Sequence, residues 1–443
     1  MTRFARLAVV FSVLALVVGA CSDSKPNASG TASKTGATEK IDYNAIGLWD
    51  DGPCDASKPK LVIGLMTVFE SPVLSLKDQA DALTASATAF NQRGGANGSC
   101  IEVHNCDDGA NIDQAVSCVR ELDSAGVVAT VNDEGTAGQA DVSSAMAQAG
   151  IPRIASNVSN VDWGDPNAYP IDASGTGVTF LQPQALVDQG AKKIGVVRVD
   201  LAAASALVGL LGDVYKDEGV TFPFDAPVSA GTTDYGQFIL GAQEAGVDGV
   251  ILSLGEQEAV QVVNAAKQLD TNLKLGTALG SFSHKNIADL GDFAKQMVFL
   301  WAFPPATTDL PVYQALRSDL AASGEGALQP ENLKSSPMQS WIGLYALLKM
   351  IRDSKMTTFT RQGITTMVQQ AKDVPMLGMF GGEDWTPNLD HPGIFKRAGM
   401  NHWAVYTWDP NAESNGFKGN FVEKSQMSFD KVLCGSPFGA PTC

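Results

Sequence analysis

Seven cysteines are the most chemically able side chains of this 443-residue chain. Six of them, Cys54, Cys100, Cys106, Cys118, Cys434 and Cys443, lie in the body, and Cys21 ends an apolar N-terminal run. Thiols can ligate a metal, act as nucleophiles or pair. A metal site is weakly signalled, because no CxxC pair exists and the four histidines (His104, His284, His391, His402) are scattered. No cofactor motif is visible either. Catalysis by a nucleophile and base has no clear signature: no G-x-S-x-G elbow, no H-E-x-x-H, and no convincing Ser-x-x-Lys. His391, in LDHPG, is the best lone candidate base, and its Pro/Gly setting reads as a loop. No catalytic residue is therefore assigned. Pairing remains. With Cys21 set aside, six cysteines suggest three disulfides, for which arithmetic alone allows fifteen connectivities.

Cys21 has a different chemistry in prospect. Arg3 and Arg6 precede an uninterrupted apolar and small-residue run from Leu7 to Ala20. A positive start followed by such a run is the pattern of an export signal. At about 14 residues the run falls short of the ~20 that span a bilayer as a helix. It closes Val18-Gly19-Ala20-Cys21, which resembles the bacterial lipobox, where a diacylglycerol is attached to the Cys sulfur and the signal is removed. Two or three acyl chains on one residue anchor firmly where one does not. Residues 1–20 are thus expected to be a lipoprotein signal peptide. The protein is expected to be exported and lipid-anchored at Cys21 to the outer face of the cell membrane. Residues 22–40 (SDSKPNASGTASKTGATEK) hold almost no large apolar side chain and cannot offset their ordering entropy. A flexible tether is expected over 21–57.

The elements that must position any site alternate. Apolar strands are predicted at Lys60–Met66, Ile101–Asn105, Val127–Val131 and Arg153–Ala155, with amphipathic helices at Asp78–Asn91, Asn111–Ala125 and Gln139–Ala149 between them. A second series follows Asp172, with strands at Lys193–Val199, near Ala226–Val228, at Gly249–Leu254 and at Leu273–Thr277. Its helices are Val178–Gln189, Ser205–Glu218, Tyr235–Ala245 and Glu256–Leu269. A long helix at Ser336–Asp353 and a late strand at Met400–Trp408 complete it. Such alternation implies an α/β fold of doubly wound parallel sheets. Roughly 390 residues are too many for one ordinary core, so two lobes are expected. Strand geometry orders the cysteines. Cys54 and Cys100 each lie just before a predicted parallel strand at the same sheet end, Cys106 ends the second strand, and Cys118 lies on the helix after it. The expected pairs are Cys54–Cys100, Cys106–Cys118 and, in the Gly/Pro-rich tail, Cys434–Cys443. A net charge of −17 repels nucleic-acid phosphates and anionic headgroups, so neither is an expected partner. Ligands bind at the carboxyl ends of strands in open α/β sheets, and two such sheets face to face make a cleft that hinge closure can shut.

Several stretches, in order, resemble the type I periplasmic binding proteins of ABC transporters, in particular the branched-chain amino acid binding group. They are AFNQRGGANG from Ala89, HNCDDGANIDQAVSCVREL from His104, QAGIPRIASNVSN from Gln148 and AGTTDYGQFIL from Ala230. The resemblance runs from about Lys60 to about Pro410. It implies two lobes joined by a three-segment hinge, with crossings near Asp172, Phe303 and Val405. Lobe 1 would comprise 58–172 and 304–404, and lobe 2 would comprise 173–303 and 405–443.

In that family the ligand's carboxylate rests on hydroxyls and backbone N–H groups of the first lobe. The resemblance places these at Thr136 and Ser159, with Asn157 supplying backbone. Hydroxyl and N–H donors at a helix start can hold an anion without a cation. They can equally cap the helices that follow. The family's acidic position for a ligand ammonium falls on Ala278 or Leu279, and one aromatic position falls on Gly255. Asp200 and Glu256 lie nearby and are the candidates to supply that charge. Glu256 also suits a helix N-terminus for its own sake. Phe69 and Glu70 follow the first strand and are expected to shape the cleft.

The expected function is a solute-binding protein, not an enzyme. It would be a monomer that captures a small polar or anionic solute (an amino acid or an organic acid) and delivers it to the permease of an ABC importer. A ligand sensor for a membrane receptor is an alternative, and a lipid-anchored hydrolase is a further one.

Overall fold

The computed structural model describes residues 41–71, 75–135, 137–156 and 164–442. Strands β1 (Leu61–Thr67), β2 (Ile101–Asp107), β3 (Ala129–Val131), β4 (Arg153–Ile154) and β5 (Ala168–Tyr169) form one sheet in the order β2-β1-β3-β4-β5. Every pairing in it is parallel. Helices α1 (Lys77–Gln92), α2 (Ile112–Ser124) and α3 (Gln139–Ala149) are its crossovers. The interior strand β1, LVIGLMT, is almost wholly buried, as a parallel strand covered on both faces must be.

The second sheet has seven strands in the order β12-β11-β10-β9-β8-β6-β7. These are β6 (Lys193–Val199), β7 (Thr221–Val228), β8 (Gly249–Ser253), β9 (Lys274–Ala278), β10 (Met297–Trp301), β11 (His402–Ser414) and β12 (Phe417–Ser428). The first five run parallel, whereas β11 and β12 are an antiparallel hairpin on the β10 edge. Helices α4 (Ser174–Val187), α5 (Ala202–Val214), α6 (Gly236–Glu244), α7 (Glu256–Gln268) and α8 (His284–Leu290) serve this sheet. The late strand predicted over Met400–Trp408 is therefore the first half of a hairpin that adds an antiparallel edge to a parallel sheet.

After β10 the chain returns to the first sheet's side as α9 (Pro311–Ala321), α10 (Ser335–Asp353) and α11 (Arg361–Gln370). Helix α10 is buried on nearly all faces, and its Trp341 packs on Phe90 of α1 with ring centroids 5.2 Å apart. A final short helix, α12 (Phe429–Leu433), packs beside α4 through Phe429 against Phe395 and Phe395 against Phe180. The chain thus passes between the sheets three times: after β5, after β10 and before β11. Gly399 in the last passage has φ +75°, and a Cβ there would lie 2.5 Å from the backbone N of Asp172 in the first. Only glycine lets those two passages touch.

Two of the expected disulfides are present, Cys54–Cys100 and Cys106–Cys118. Cys434 is disulfide-bonded, while Cys443 lies outside the described residues. The tether expected through residue 57 does not extend that far. From Ile41 the chain is packed: Leu48 and Trp49 are buried, and Trp49 stacks on Phe90 at 5.4 Å and on Tyr345 at 6.1 Å. A large aromatic and a cysteine close to the polar stretch are the features that end the tether early. No helix among the described residues is long and apolar enough to cross a membrane. Cys21 lies outside the described residues.

Candidate functional site

The carboxyl end of β1 leads into α1, and that of β8 leads into α7, so Asp78 and Glu256 sit in the first turns of two helices in different sheets. Lys334, the N-cap residue of α10, reaches both. Its Nζ lies 2.7 Å from Asp78 Oδ2 and 2.7 Å from Glu256 Oε2. One side chain spanning these two points brings the starts of the helices that follow β1 and β8 together across the two sheets. That is the geometry of a cleft between two α/β lobes. Burial pulls the Lys334 pKa down, but the charges of Asp78 and Glu256 outweigh it and hold the ammonium above its usual value.

The lobe-1 wall is rigid beneath its surface. Thr67 Oγ1 donates to Gln79 Oε1 at 3.1 Å, and Gln79 Nε2 donates to the Asn132 carbonyl at 2.9 Å. Asn132 Nδ2 donates to Ser340 Oγ at 2.9 Å, and Ser340 Oγ donates to the Gln79 carbonyl at 2.9 Å. These buried bonds tie β1, β3, α1 and α10 together where the strands end. Next to them Arg153 Nε donates to Asp133 Oδ2 at 2.7 Å, a pair almost free of solvent. A satisfied buried network of this kind specifies one arrangement and resists repacking.

Of the residues expected to line the site, Thr136, Asn157 and Ser159 lie outside the described residues. Phe69 and Glu70 stand together on the loop after β1. Phe69 is half-buried; its N–H donates to Asp107 Oδ1 at 2.9 Å, and its carbonyl accepts from Ser75 Oγ at 2.8 Å. Glu70 is exposed. On the other lobe Asp200 is exposed at the end of β6 and accepts a hydrogen bond from Ser229 Oγ at 2.7 Å. Glu256 is not a free charge, because Lys334 already engages it. Sequence reasoning missed both Asp78 and Lys334. Lys334 sits in NLKSSP with no motif around it, and its partner Glu256 is 78 residues away.

His391 is not poised as a base. It is buried, with Nδ1 2.9 Å from Asp430 Oδ1 and Nε2 on the Gly399 carbonyl, so both ring nitrogens are committed. Burial lowers its pKa, but the hydrogen bond and charge of Asp430 prevail and raise it above the usual histidine value. His284 is likewise packed, bonded to the Gly419 carbonyl between Trp408 and Phe417. Among the described residues no group of three or more His, Cys, Asp or Glu could hold a metal ion.

The chain matches the family model described as periplasmic binding protein over residues 60–413. Several solved structures share its fold. A fatty acid ABC transporter substrate-binding protein from Thermomonospora curvata is 18% identical with a TM-score of 0.67, covering 87% of this chain and 96% of that one. An ABC transporter solute-binding protein from R. palustris in complex with 4-hydroxybenzoate is 15% identical with a TM-score of 0.66, covering 84% and 97%. A leucine-, isoleucine-, valine-, threonine- and alanine-binding protein from Brucella ovis, in a closed conformation, is 14% identical with a TM-score of 0.66, covering 87% and 98%. At such identities the likeness is one of fold. No curated protein matches the chain. With two parallel-dominated sheets, three passages between them and a family match across nearly the whole body, this chain belongs to the type I periplasmic binding protein family.

Proposed function

We propose that this protein is an exported, lipid-anchored solute-binding protein that captures a small polar or anionic solute between its two lobes and delivers it to the permease of an ABC importer. The observation that carries the reading is that Asp78 and Glu256, at the starts of helices that follow strands of different sheets, are held on one lysine. The fold relatives add weight, since two are described as ABC transporter binding proteins, one for a fatty acid and one in complex with 4-hydroxybenzoate, and a third as a leucine-, isoleucine-, valine-, threonine- and alanine-binding protein.

In this reading lobe 1 (58–172 and 304–404) presents Phe69, Glu70, Thr136, Asn157 and Ser159, and lobe 2 (173–303 and 405–443) presents Asp200 and Glu256. Because Lys334 already engages Glu256, exposed Asp200 is the lobe-2 carboxylate that meets a ligand ammonium in this reading. An organic acid needs no such group, and hydroxyl and N–H donors at helix starts serve its carboxylate. The protein acts as a monomer, held by acyl chains on Cys21 and the flexible stretch after it.

The test is a thermal-shift screen with leucine, 4-hydroxybenzoate and a medium-chain fatty acid as first probes, extended to other carboxylates. A ligand of the folded state at 100 times its Kd adds about 2.7 kcal/mol of stability by mass action. A saturable rise in melting temperature supports the reading. Absence of any saturable rise across amino acids and carboxylates overturns it, as does ester or amide hydrolysis that His391→Ala abolishes.

A further inference from the structure

Lys334 stands at a place where its own helix gives it no reason to be. It occupies the N-cap of α10 with extended backbone (φ −101°, ψ 174°) and makes no side-chain cap. The positive end of a helix disfavours a cation. Two carboxylates offset that penalty, and they are unequal. Asp78 belongs to the same lobe, since α1 and α10 pack through Phe90 and Trp341, and its side chain is only 9% exposed. Glu256 opens α7 of the other lobe and is 34% exposed. The Asp78 half of the contact is the dry, permanent one, and the Glu256 half is the wet one that crosses the cleft. Beside it the Lys285 N–H also donates across to the Glu331 carbonyl at 3.0 Å.

We propose that Lys334 is a positioning residue for solute capture: parked on Asp78 in lobe 1, it clasps Glu256 of lobe 2 and so sets the aperture of the empty cleft. The inference rests on the solute-binding reading for its purpose but not for its test. When the lobes part, Lys334 keeps Asp78 and Glu256 returns to water, so opening separates one charge pair, along with the Lys285–Glu331 backbone bond, and leaves no lysine stranded. The clasp biases the lobes toward each other before a solute arrives, which reduces the ordering that binding must supply. Because its outer half is partly solvated, ions in solution weaken it.

The experiment measures the distance between spin labels at Ser124→Cys on α2 and Lys216→Cys after α5, both exposed and on different lobes, in the full chain without solute. Glu256→Gln and Lys334→Gln are expected to shift the distribution to longer distances. Wild type is expected to make the same shift on going from low to high salt, and Glu256→Gln to lose that salt response. Asp78→Asn, which removes an equally close carboxylate from the same lysine but within one lobe, is expected to leave the distribution in place. Unchanged distances in Glu256→Gln, or an Asp78→Asn shift as large as that of Glu256→Gln, overturn the proposal. Since no solute is used, that failure is distinct from a failure of the ligand screen.

Discussion

Arg93 at the end of α1 meets Asp319 of α9 in a two-pronged ion pair, Nη1 to Oδ1 at 2.8 Å and Nη2 to Oδ2 at 2.6 Å, with both side chains almost fully buried. Trp341 Nε1 of α10 donates to the same carboxylate at 2.8 Å, and the Arg93 guanidinium lies 4.3 Å from the centre of the Tyr43 ring. One carboxylate therefore joins three helices and, through Arg93, the chain that enters lobe 1. Asp319→Ala is expected to cost about 3–5 kcal/mol, because it strands a buried guanidinium. Replacing both partners with apolar residues of similar volume is expected to recover much of that loss. Chemical denaturation of the single and double variants reads both outcomes.

Asp172 sits in the first passage between the sheets, fully buried, and among the described residues its partners are the Ser174 N–H and Gln339. Burial raises its pKa to about 6, and hydrogen bonds from the Ser174 N–H and Gln339 Nε2 restrain the rise. The unfolded carboxyl titrates near 4. Below about pH 4 both states hold the proton and the fold bears no penalty. As pH rises toward and through about 6 the folded state must either keep its proton or bury a charge, and stability falls by roughly 2–3 kcal/mol in all. Asp172→Asn removes that dependence. Its stability relative to wild type is expected to rise between about pH 4 and pH 6 and to level off above. A difference that is flat across that window counts against burial as the cause of the raised pKa.

Trp49 is the test of where the tether ends. It packs on Phe90 and Tyr345, and the Arg352 guanidinium lies 4.5 Å from the centre of its ring. Trp49→Ala is expected to destabilise the body by about 3–5 kcal/mol, the range for a large buried aromatic. A tether residue would cost nothing measurable. Thermal melts of the variant distinguish the two.

Cys21→Ala is expected to move the protein from the membrane to the soluble fraction on cell fractionation, since the acyl chains are the anchor in the proposed function and no helix among the described residues is long and apolar enough to cross a membrane. Retention in the membrane would remove the lipid anchor from the proposed function.

Local patterning carries a long way here. Helix α3 and strand β6 fall on the residues their apolar periodicity marks, because side-chain spacing within ten or so residues decides both. The order of elements yields the parallel sheets, and the placing of Cys54 and Cys100 before neighbouring strands yields their bond, since strands that pair bring their starts together. Strand β10, MVFLW, is a short apolar run that period alone cannot separate from other buried segments. The β11–β12 hairpin lies beyond a long irregular stretch, so its place at the sheet edge is set by pairing with β10.

The alternation that builds the two parallel sheets is thus a property of sequence, readable because periodicity is local, whereas the three passages between the sheets are implied by the family resemblance. Which charges meet is not. Arg93 finds Asp319 across 226 residues, and Lys334 finds Glu256 across 78. No spacing rule reaches so far, because those partners are chosen by how helices stack once the core has closed. The tertiary structure alone decided that Glu256 answers a lysine of the other lobe and that His391 is locked between Asp430 and Gly399, for burial and distance set the use of a charge.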